Sequence, residues 1–405
     1  MFILNVSRKY YETTSFEVNG AYSMKLRVVV VVLALYITFS SVLIEQGFLA
    51  NLGSARVQSM GVVGTVGGGM LWLHTEGRNI KDENGSTVQL KGVNTPHGCD
   101  STTFVEGSHM LDENDFATMK SWGMNVVRFT FNTGWFLRNE YNPSIDEWVN
   151  RAERQNLYII LDMHRWDGDV GFFPNDVNAW INVWRDIANR YKNRPQVLFE
   201  LFNEPHDGAV GDGSSADGFT NWRNFTQQCL NAIRATGAQN IVVVGGWVWQ
   251  NELTSWGQGD RWLRDADGSY ADNVVYSTHH YVTGWGHNPP SNRTDLLNFF
   301  RSPGVGWDLP LVNDIAPLLV GEYNLQQGGS PTDPNVPYDG DERLTCFDNY
   351  MNIFDDGDLG AYVSYTPWAW VMYESWAWNH EFLLVPPYPS PAKTGQILQN
   401  HLSAP

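Results

Sequence analysis

Two short stretches carry carboxyl groups to the ends of apolar runs. Residues 197–206 read VLFELFNEPH, a near-continuous apolar run that stops at Asn203-Glu204-Pro205. Residues 317–324 read PLLVGEYN, a second apolar run ending in Glu322. Runs of this length and composition suit strands of a parallel sheet covered on both faces. Pro205 supplies no backbone donor, so ladder pairing stops there, with Asn203 and Glu204 at the C-terminal rim of the strand. That rim is where parallel α/β folds place their chemistry. Taken alone, Glu204 reads better as a loop cap. Two carboxylates on the same rim could instead flank a glycosidic bond, one as acid/base and the other as nucleophile.

Such a pair needs a scaffold that brings two distant strands to one face. After Met70 the chain alternates strand and helix patterns with little interruption, the signature of βα units. Strands are expected at 88–93, 125–130, 157–163, 197–202, 241–246, 273–278, 317–321 and 361–366. Helices are expected at 113–122, 145–155, 177–192, 220–235 and 342–354. Eight strands with intervening helices over this span predict an α/β fold, a (β/α)8 TIM barrel. Residues 72–90 read as a hairpin turned at Glu83-Asn84-Gly85. Segments 207–218 and 328–340, rich in Gly, Asp, Ser and Pro, read as loops.

With the strands placed, polar residues should gather where they end. Arg128 lies inside the second apolar run and requires a carboxylate partner if buried. The third strand ends in Asp162-Met163-His164-Arg165-Trp166, the sixth in Thr278-His279-His280-Tyr281, and the eighth in Pro367-Trp368-Ala369-Trp370. Alternation puts His279 and Tyr281 on one face and His280 on the other. A zinc site at His164 fails for want of further ligands at suitable spacing.

These residues resemble glycoside hydrolase family 5, the cellulase-type retaining β-glycanases of clan A, from about Trp72 to Trp370. Asn203-Glu204-Pro205 resembles the family's acid/base signature and Gly321-Glu322 its nucleophile strand. The resemblance implies that Arg128 lies beneath Glu322 and keeps it ionised, and that His164 contacts sugar. It implies that Asn203 donates to the 2-hydroxyl, Tyr281 orients Glu322, and His279 assists the proton cycle of Glu204. It also implies that the hairpin closes the bottom of the barrel. A Trp platform is expected under the sugar: Trp368, with Trp370 as the alternative. His97, in a loop after the first strand, is a further substrate-binding candidate; Trp166 and Trp249, together with Trp135 and Trp285, could extend the cleft or simply pack. No metal or organic cofactor is implied.

Composition narrows the partners. A formal net charge of −18 argues against nucleic acid and anionic membrane surfaces. The 18 Trp can serve as core bulk or as flat platforms for pyranose rings. Three cysteines, Cys99, Cys229 and Cys346, give no disulfide framework, although Cys99 and Cys346 could pair. Residues 28–44 form an apolar run behind Lys25 and Arg27, the charge order of a secretory signal or an N-terminal membrane tether. Residues 1–69 are therefore expected to be an extension, a signal or anchor, and a Gly-rich linker, with the catalytic domain at 70–405.

The expectation is a secreted or anchored monomer acting on a β-linked polysaccharide or oligosaccharide. Its reaction would be that of a retaining endo-β-1,4-glucanase. A mannan-, xyloglucan- or β-1,3-glucan-cleaving relative would share the same catalytic residues. A carbohydrate-binding protein without activity would have no use for both carboxylates and their supporting residues, and an adhesion protein explains none of them.

Overall fold

The computed structural model describes residues 69–95, 111–132, 144–165, 177–206, 216–281, 290–301, 315–324, 341–370, 383–385 and 390–403. All belong to one compact unit, Gly68–Pro405. The readings made for residues 1–68, for His97, Cys99, Trp135, Trp166 and Trp285, and for the loops at 207–215 and 328–340 lie outside the described residues.

A hairpin of β1 (Leu73–Glu76) and β2 (Asn79–Asp82) comes first. Eight parallel strands come after it: β3 (Gly92–Thr95), β4 (Val126–Asn132), β5 (Tyr158–Arg165), β6 (Val197–Glu200), β7 (Val242–Gly245), β8 (Val274–His279), β9 (Leu318–Glu322) and β10 (Ser364–Tyr365). They are neighbours in chain order from β3 to β10. The cylinder closes where Tyr365 N donates to Leu90 O at 2.8 Å and Lys91 bridges Tyr365 in parallel. The barrel is the one expected, although its first strand falls at Gly92–Thr95, later than the 88–93 read for it, and its eighth is reduced to Ser364–Tyr365 within the 361–366 read for it.

Helices α1 (Glu113–Ser121), α2 (Ile145–Arg154), α3 (Val177–Tyr191), α4 (Ala216–Arg234) and α7 (Asp341–Asp355) match the five expected. Three more, α5 (Thr254–Gly257), α6 (Arg293–Arg301) and α8 (Lys393–Ser403), were not read from the sequence. A final small hairpin pairs β11 (Leu384–Val385) with β12 (Ser390–Pro391). Local chemistry sets the helix limits. Asp112 caps α1 by accepting from Asn114 N and Asp115 N, while Asp115 reaches back to Asp112 N at 2.8 Å, a reciprocal capping box. In α2, Ile145, Trp148, Val149 and Ala152 fall on one helical face, and all four are buried.

The N-terminal hairpin is turned differently from expectation. Its reversal falls at Gly77-Arg78, with Gly77 at φ +53°, where a residue without Cβ is comfortable. Asn84-Gly85 makes a second turn, closed by Gly85 N to Asp82 O at 2.9 Å, which leads only to a single bridge between Lys81 and Thr87. The hairpin is tied to the barrel by Thr75 N to Asn273 Oδ1 at 3.0 Å and Tyr158 Oη to Leu71 O at 3.0 Å.

Strand alternation divides the core in two. Outward residues such as Val127, Phe129, Val197 and Phe199 meet the helices. Inward residues Val126, Tyr158, Ile160, Leu198, Ile241, Val243, Val275 and Leu319 form a separate apolar plug, completed below by Leu73 and Ile80 of the hairpin. One step higher on the same inward rows the side chains become polar: Arg128, Asp162, Glu200 and Ser277, all fully buried.

Candidate active site

The strand ends are held before any site residue is placed. Trp180 and Trp184 of α3 both donate their indole N–H to Leu201 O, at 3.2 and 3.0 Å, just before Asn203-Glu204. Trp222 and Trp256 do the same for Gly245 O, at 3.1 and 3.3 Å. Part of the tryptophan excess is therefore core bulk with a polar handle that satisfies carbonyls where the ladder ends.

Glu322 sits in a cradle. Arg128 Nη1 donates to its Oε1 at 2.8 Å and Tyr281 Oη to its Oε2 at 2.7 Å. Burial and the Glu322 charge push the Tyr281 hydroxyl well above its ordinary range, so it remains a donor. Arg128 is itself shared: it donates to Glu200 through Nε at 2.6 Å and Nη2 at 3.0 Å, to Asn94 Oδ1 at 2.8 Å and to Asn203 Oδ1 at 2.9 Å, and lies 3.0 Å from Asp162. Burial alone would lower the Arg128 pKa; Asp162, Glu200 and Glu322 together outweigh it and keep the guanidinium charged. Because Asn203 spends its oxygen on Arg128, its NH2 is the end left to donate.

Glu204 is more open, its side chain 31% exposed against 5% for Glu322. His279 stands between them, its Nδ1 3.0 Å from Glu204 Oε1 and 3.6 Å from Glu322 Oε2. Burial lowers the His279 pKa to about 4 against the pull of Glu322, so the ring is neutral near pH 7 and its Nδ1–H can donate to an ionised Glu204. His280 faces away, with Nε2 3.1 Å from Thr278 Oγ1 and its ring near Phe300. The predicted split between His279 with Tyr281 and His280 is thus the arrangement observed.

Two register shifts aim the side chains. Between β4 and β5 the pairing runs Phe131 to Met163 and then Asn132 to Arg165, passing over His164. Between β8 and β9 it runs Thr278 to Val320 and then His279 to Glu322, passing over Gly321. An extra residue in a strand bends it and re-aims the side chains beyond. Asn94 Nδ2 at 2.8 Å and Thr366 Oγ1 at 2.7 Å both hold the Gly321 carbonyl. A Cβ on Gly321 would stand 2.7 Å from Ser277 Oγ and 3.1 Å from His279 Nε2, so the glycine before the acid makes room for the histidine. His164 Nδ1 lies 2.6 Å from Asp162 Oδ2, and its ring stacks on Trp368 at 5.8 Å. Burial pushes Asp162 up to about 7, although Arg128 opposes it.

Glu204, His279 and Glu322 each place one oxygen or nitrogen within 4.8 Å of the others. Such a group could hold a cation, but Arg128 and Tyr281 already occupy both Glu322 oxygens, so an ion would have to displace a hydrogen bond. The two carboxyl groups therefore face one another across a gap that a sugar linkage could span.

Comparison with known proteins agrees with this geometry. The family profile for cellulase (glycosyl hydrolase family 5) matches residues 81–355. The chain belongs to glycosyl hydrolase family 5. Among its relatives, an endoglucanase from Paenibacillus polymyxa is 28% identical over 323 residues, covering 66% of this chain and 73% of the relative. Endoglucanase C from Evansella cellulosilytica is 29% identical over 227 residues, 51% of this chain but only 26% of that protein's length. A β-glucanase from Saccharophagus degradans, solved in native form and in complex with cellotetraose, superposes with a TM-score of 0.61 at 19% identity, covering 82% of this chain and 93% of that one.

Within this family 5 site the structure brings together Arg128, His164, Asn203, Glu204, His279, Tyr281, Glu322 and Trp368. Trp368 is half-buried beside His164 and is tied by its backbone N–H to Tyr323 O at 3.0 Å. Trp370 does not belong. It is fully buried, donates its indole N–H to Asp115 at 3.0 Å and meets Trp122 edge-on, so it offers no face to a sugar. Strand β10 ends at Tyr365, and beyond it the two-residue alternation that would pair Trp370 with Trp368 no longer applies. Trp249 is half-buried, stacked on His206 at 3.9 Å, with its backbone N–H on the carbonyl of Pro205, the residue after Glu204.

Sequence reasoning missed Asn94, Asp162, Glu200 and Gln250. For Glu200 the signal was present: an acid on the inward row two residues after Leu198, one step past the level where Ile160 and Leu198 align with the Arg128 that needed it. Cys229 and Cys346 carry free, buried thiols, Cys346 donating to Pro290 O. Among the described residues no helix is long and apolar enough to cross a membrane.

Proposed function

We propose that this family 5 chain is a retaining endo-β-1,4-glucanase. One observation carries the reading: a buried carboxylate locked by Arg128 and Tyr281 faces a second, more open carboxyl with their nearest oxygens within 4.8 Å. Retaining glycosidases hold their two carboxyl groups about 5–5.5 Å apart, whereas inverting enzymes leave about 6.5–9.5 Å for a water.

The geometry supports a definite order of events. Arg128 and Tyr281 hold Glu322 by both its oxygens as the nucleophile, and Glu204, the more open of the two carboxyls, serves as the acid. Glu322 attacks the anomeric carbon while Glu204 protonates the departing oxygen; the glycosidic C–O bond breaks and a glycosyl ester with Glu322 forms. The ionised Glu204 then accepts Nδ1–H of neutral His279 and removes a proton from water. That water displaces Glu322 with net retention. Asn203, its oxygen taken by Arg128, donates from its NH2 to the 2-hydroxyl, a bond that strengthens in the oxocarbenium-like transition state. Trp368 carries the ring, and His164 contacts the sugar beside it. Every step uses groups of the chain and water.

The β-1,4-glucan preference rests on relatives named endoglucanase and on the neighbour solved with cellotetraose. The apolar run at 28–44 behind Lys25 and Arg27 supports export, and N-terminal sequencing of the mature protein tests that separately. The decisive experiment compares sugar release from carboxymethylcellulose, mannan, xyloglucan and laminarin, with the first-formed anomer of a cello-oligosaccharide product read by NMR. Rapid appearance of the β-anomer is expected. An initial α-anomer overturns the mechanism, and faster cleavage of another glycan overturns the substrate.

A further inference from the structure

Gln250 lies in a loop that the sequence offered no reason to single out. It is fully buried, and its backbone and those of Val248 and Trp249 are all left-handed, at φ +61°, +54° and +52°. Glu204 is left-handed as well, at φ +47°. Residues with a Cβ adopt this conformation only at a cost, so something around them must hold it.

Gln250 is that link. Its Oε1 accepts from Glu204 N at 3.0 Å. Its Nε2 donates to Glu200 Oε1 at 3.1 Å and Ser277 Oγ at 2.8 Å. Its backbone carbonyl accepts from His279 N at 3.0 Å and Thr278 Oγ1 at 2.9 Å. One residue thus grips the backbone of Glu204, the backbone of the histidine that touches the Glu204 carboxyl, and the Glu200 that anchors Arg128. Space for it is made at the end of β7: a Cβ on Gly245 would lie 2.8 Å from Gln250 Cδ, and one on Gly246 would lie 2.5 Å from Glu252 O.

We infer that Gln250 is a positioning residue for the acid/base: it fixes the left-handed turn that points Glu204 at Glu322 and sets His279 in register with it. This rests on the reading of Glu204 as acid/base. An amide does both jobs at any pH, accepting from Glu204 N–H and donating to Glu200. Methionine keeps the volume and loses both bonds; glutamate keeps the shape and donates only when protonated.

The test uses full-length Gln250→Met and Glu204→Gln on aryl β-cellobiosides graded from phenyl to 2,4-dinitrophenyl, with folding checked by thermal unfolding. A phenolate that leaves easily needs no proton, so a displaced acid harms only the poor leaving groups. Gln250→Met is expected to lose about 10- to 100-fold in kcat/KM on the phenyl glycoside, as for a catalytic group moved by about an ångström. On the dinitrophenyl glycoside it should lose less than about threefold, the same selectivity as Glu204→Gln in milder form. If Glu204→Gln shows no such selectivity, the acid/base reading fails. If Glu204→Gln shows it and Gln250→Met loses activity uniformly or not at all, the inference about Gln250 fails while that reading stands. Should the methionine variant not fold, Gln250→Glu decides: its phenyl-glycoside activity, relative to the parent, should recover as pH falls and the new carboxyl gains a proton, and a constant ratio across pH overturns the proposal.

Discussion

The inside of the barrel is built twice, by one rule and with opposite contents. In its lower half the inward rows carry Leu198, Ile160, Val243, Val275 and Leu319 beneath a hairpin that supplies Leu73 and Ile80. In its upper half the same rows carry Arg128, Asp162, Glu200 and Ser277, with Gln250 and Glu322 leaning in from the rim. The lower half is dry, nondirectional packing, which stabilises the cylinder and leaves each residue replaceable by another of similar volume. The upper half gathers three carboxylates around one guanidinium, an arrangement that burial penalises. The barrel can carry that polar layer because the apolar plug and the outer helices supply the stability. Substitutions in the two halves should therefore separate: stability without chemistry below, chemistry above.

The sharpest test is Glu322→Gln. It should lower kcat by about 10⁴- to 10⁶-fold, the scale seen when a nucleophile or its essential partner is removed. Thermal stability should hold or rise slightly, since one of the three carboxylates crowding Arg128 loses its charge. A large fall in melting temperature with this variant would erase the distinction between the halves. Arg128→Met comes next. It leaves Asp162, Glu200 and Glu322 without their shared cation and should destabilise by about 3–5 kcal/mol in denaturant titrations, with activity lost as well. Unfolding energies unchanged from the parent would mean that the three acids are satisfied without Arg128.

The same division decides what could be read in the sequence. Apolar strands announce themselves, and the Asn203-Glu204-Pro205 and Gly321-Glu322 motifs mark where two of them end, so the barrel and its central pair were legible. The polar layer was only half legible. Arg128 stood out as a charge needing a partner, yet its bidentate partner Glu200 was passed over as part of an apolar run. The aiming devices were not legible at all: the register shift passing over His164 and the left-handed run at Val248 to Gln250 are tertiary solutions without a local pattern. The resemblance left Trp368 and Trp370 as alternative platforms, and only packing separates them, since Trp370 is buried against Asp115 and Trp122; an Asn-Gly pair drew the hairpin turn away from Gly77.

Leu198→Ala probes the lower half. Removing most of this side chain from the plug should destabilise by about 2–5 kcal/mol, as large-to-small changes in tight cores do. The kcat of the folded fraction, counted by active-site titration, should stay within about twofold of the parent, because the polar layer is held from above by Gln250 and the strand-end tryptophans. A kcat that falls in step with stability would show that the two halves are mechanically one.

The smallest effect lies outside the cylinder, where α8 is clamped to α7. His401 Nε2 stands 2.9 Å from Asp348 and its Nδ1 3.6 Å from Asp355, which Lys91 also approaches at 3.0 Å. Burial works against a charged His401 ring, but Asp355 and Asp348 outweigh it and hold its pKa above the ordinary value of 6.5. A group that binds its proton more tightly when folded contributes its full stabilisation below the unfolded pKa and loses it as pH rises through the folded one. The clamp should thus be intact below about pH 6.5 and weaken at higher pH, by about 0.5 kcal/mol given how exposed Asp348 is. His401→Gln should remove that pH dependence and leave the pH profile of kcat/KM unchanged, since α8 touches neither carboxyl of the central pair. Melting curves of parent and variant that stay parallel from pH 5 to 9 would show that the clamp carries no charge.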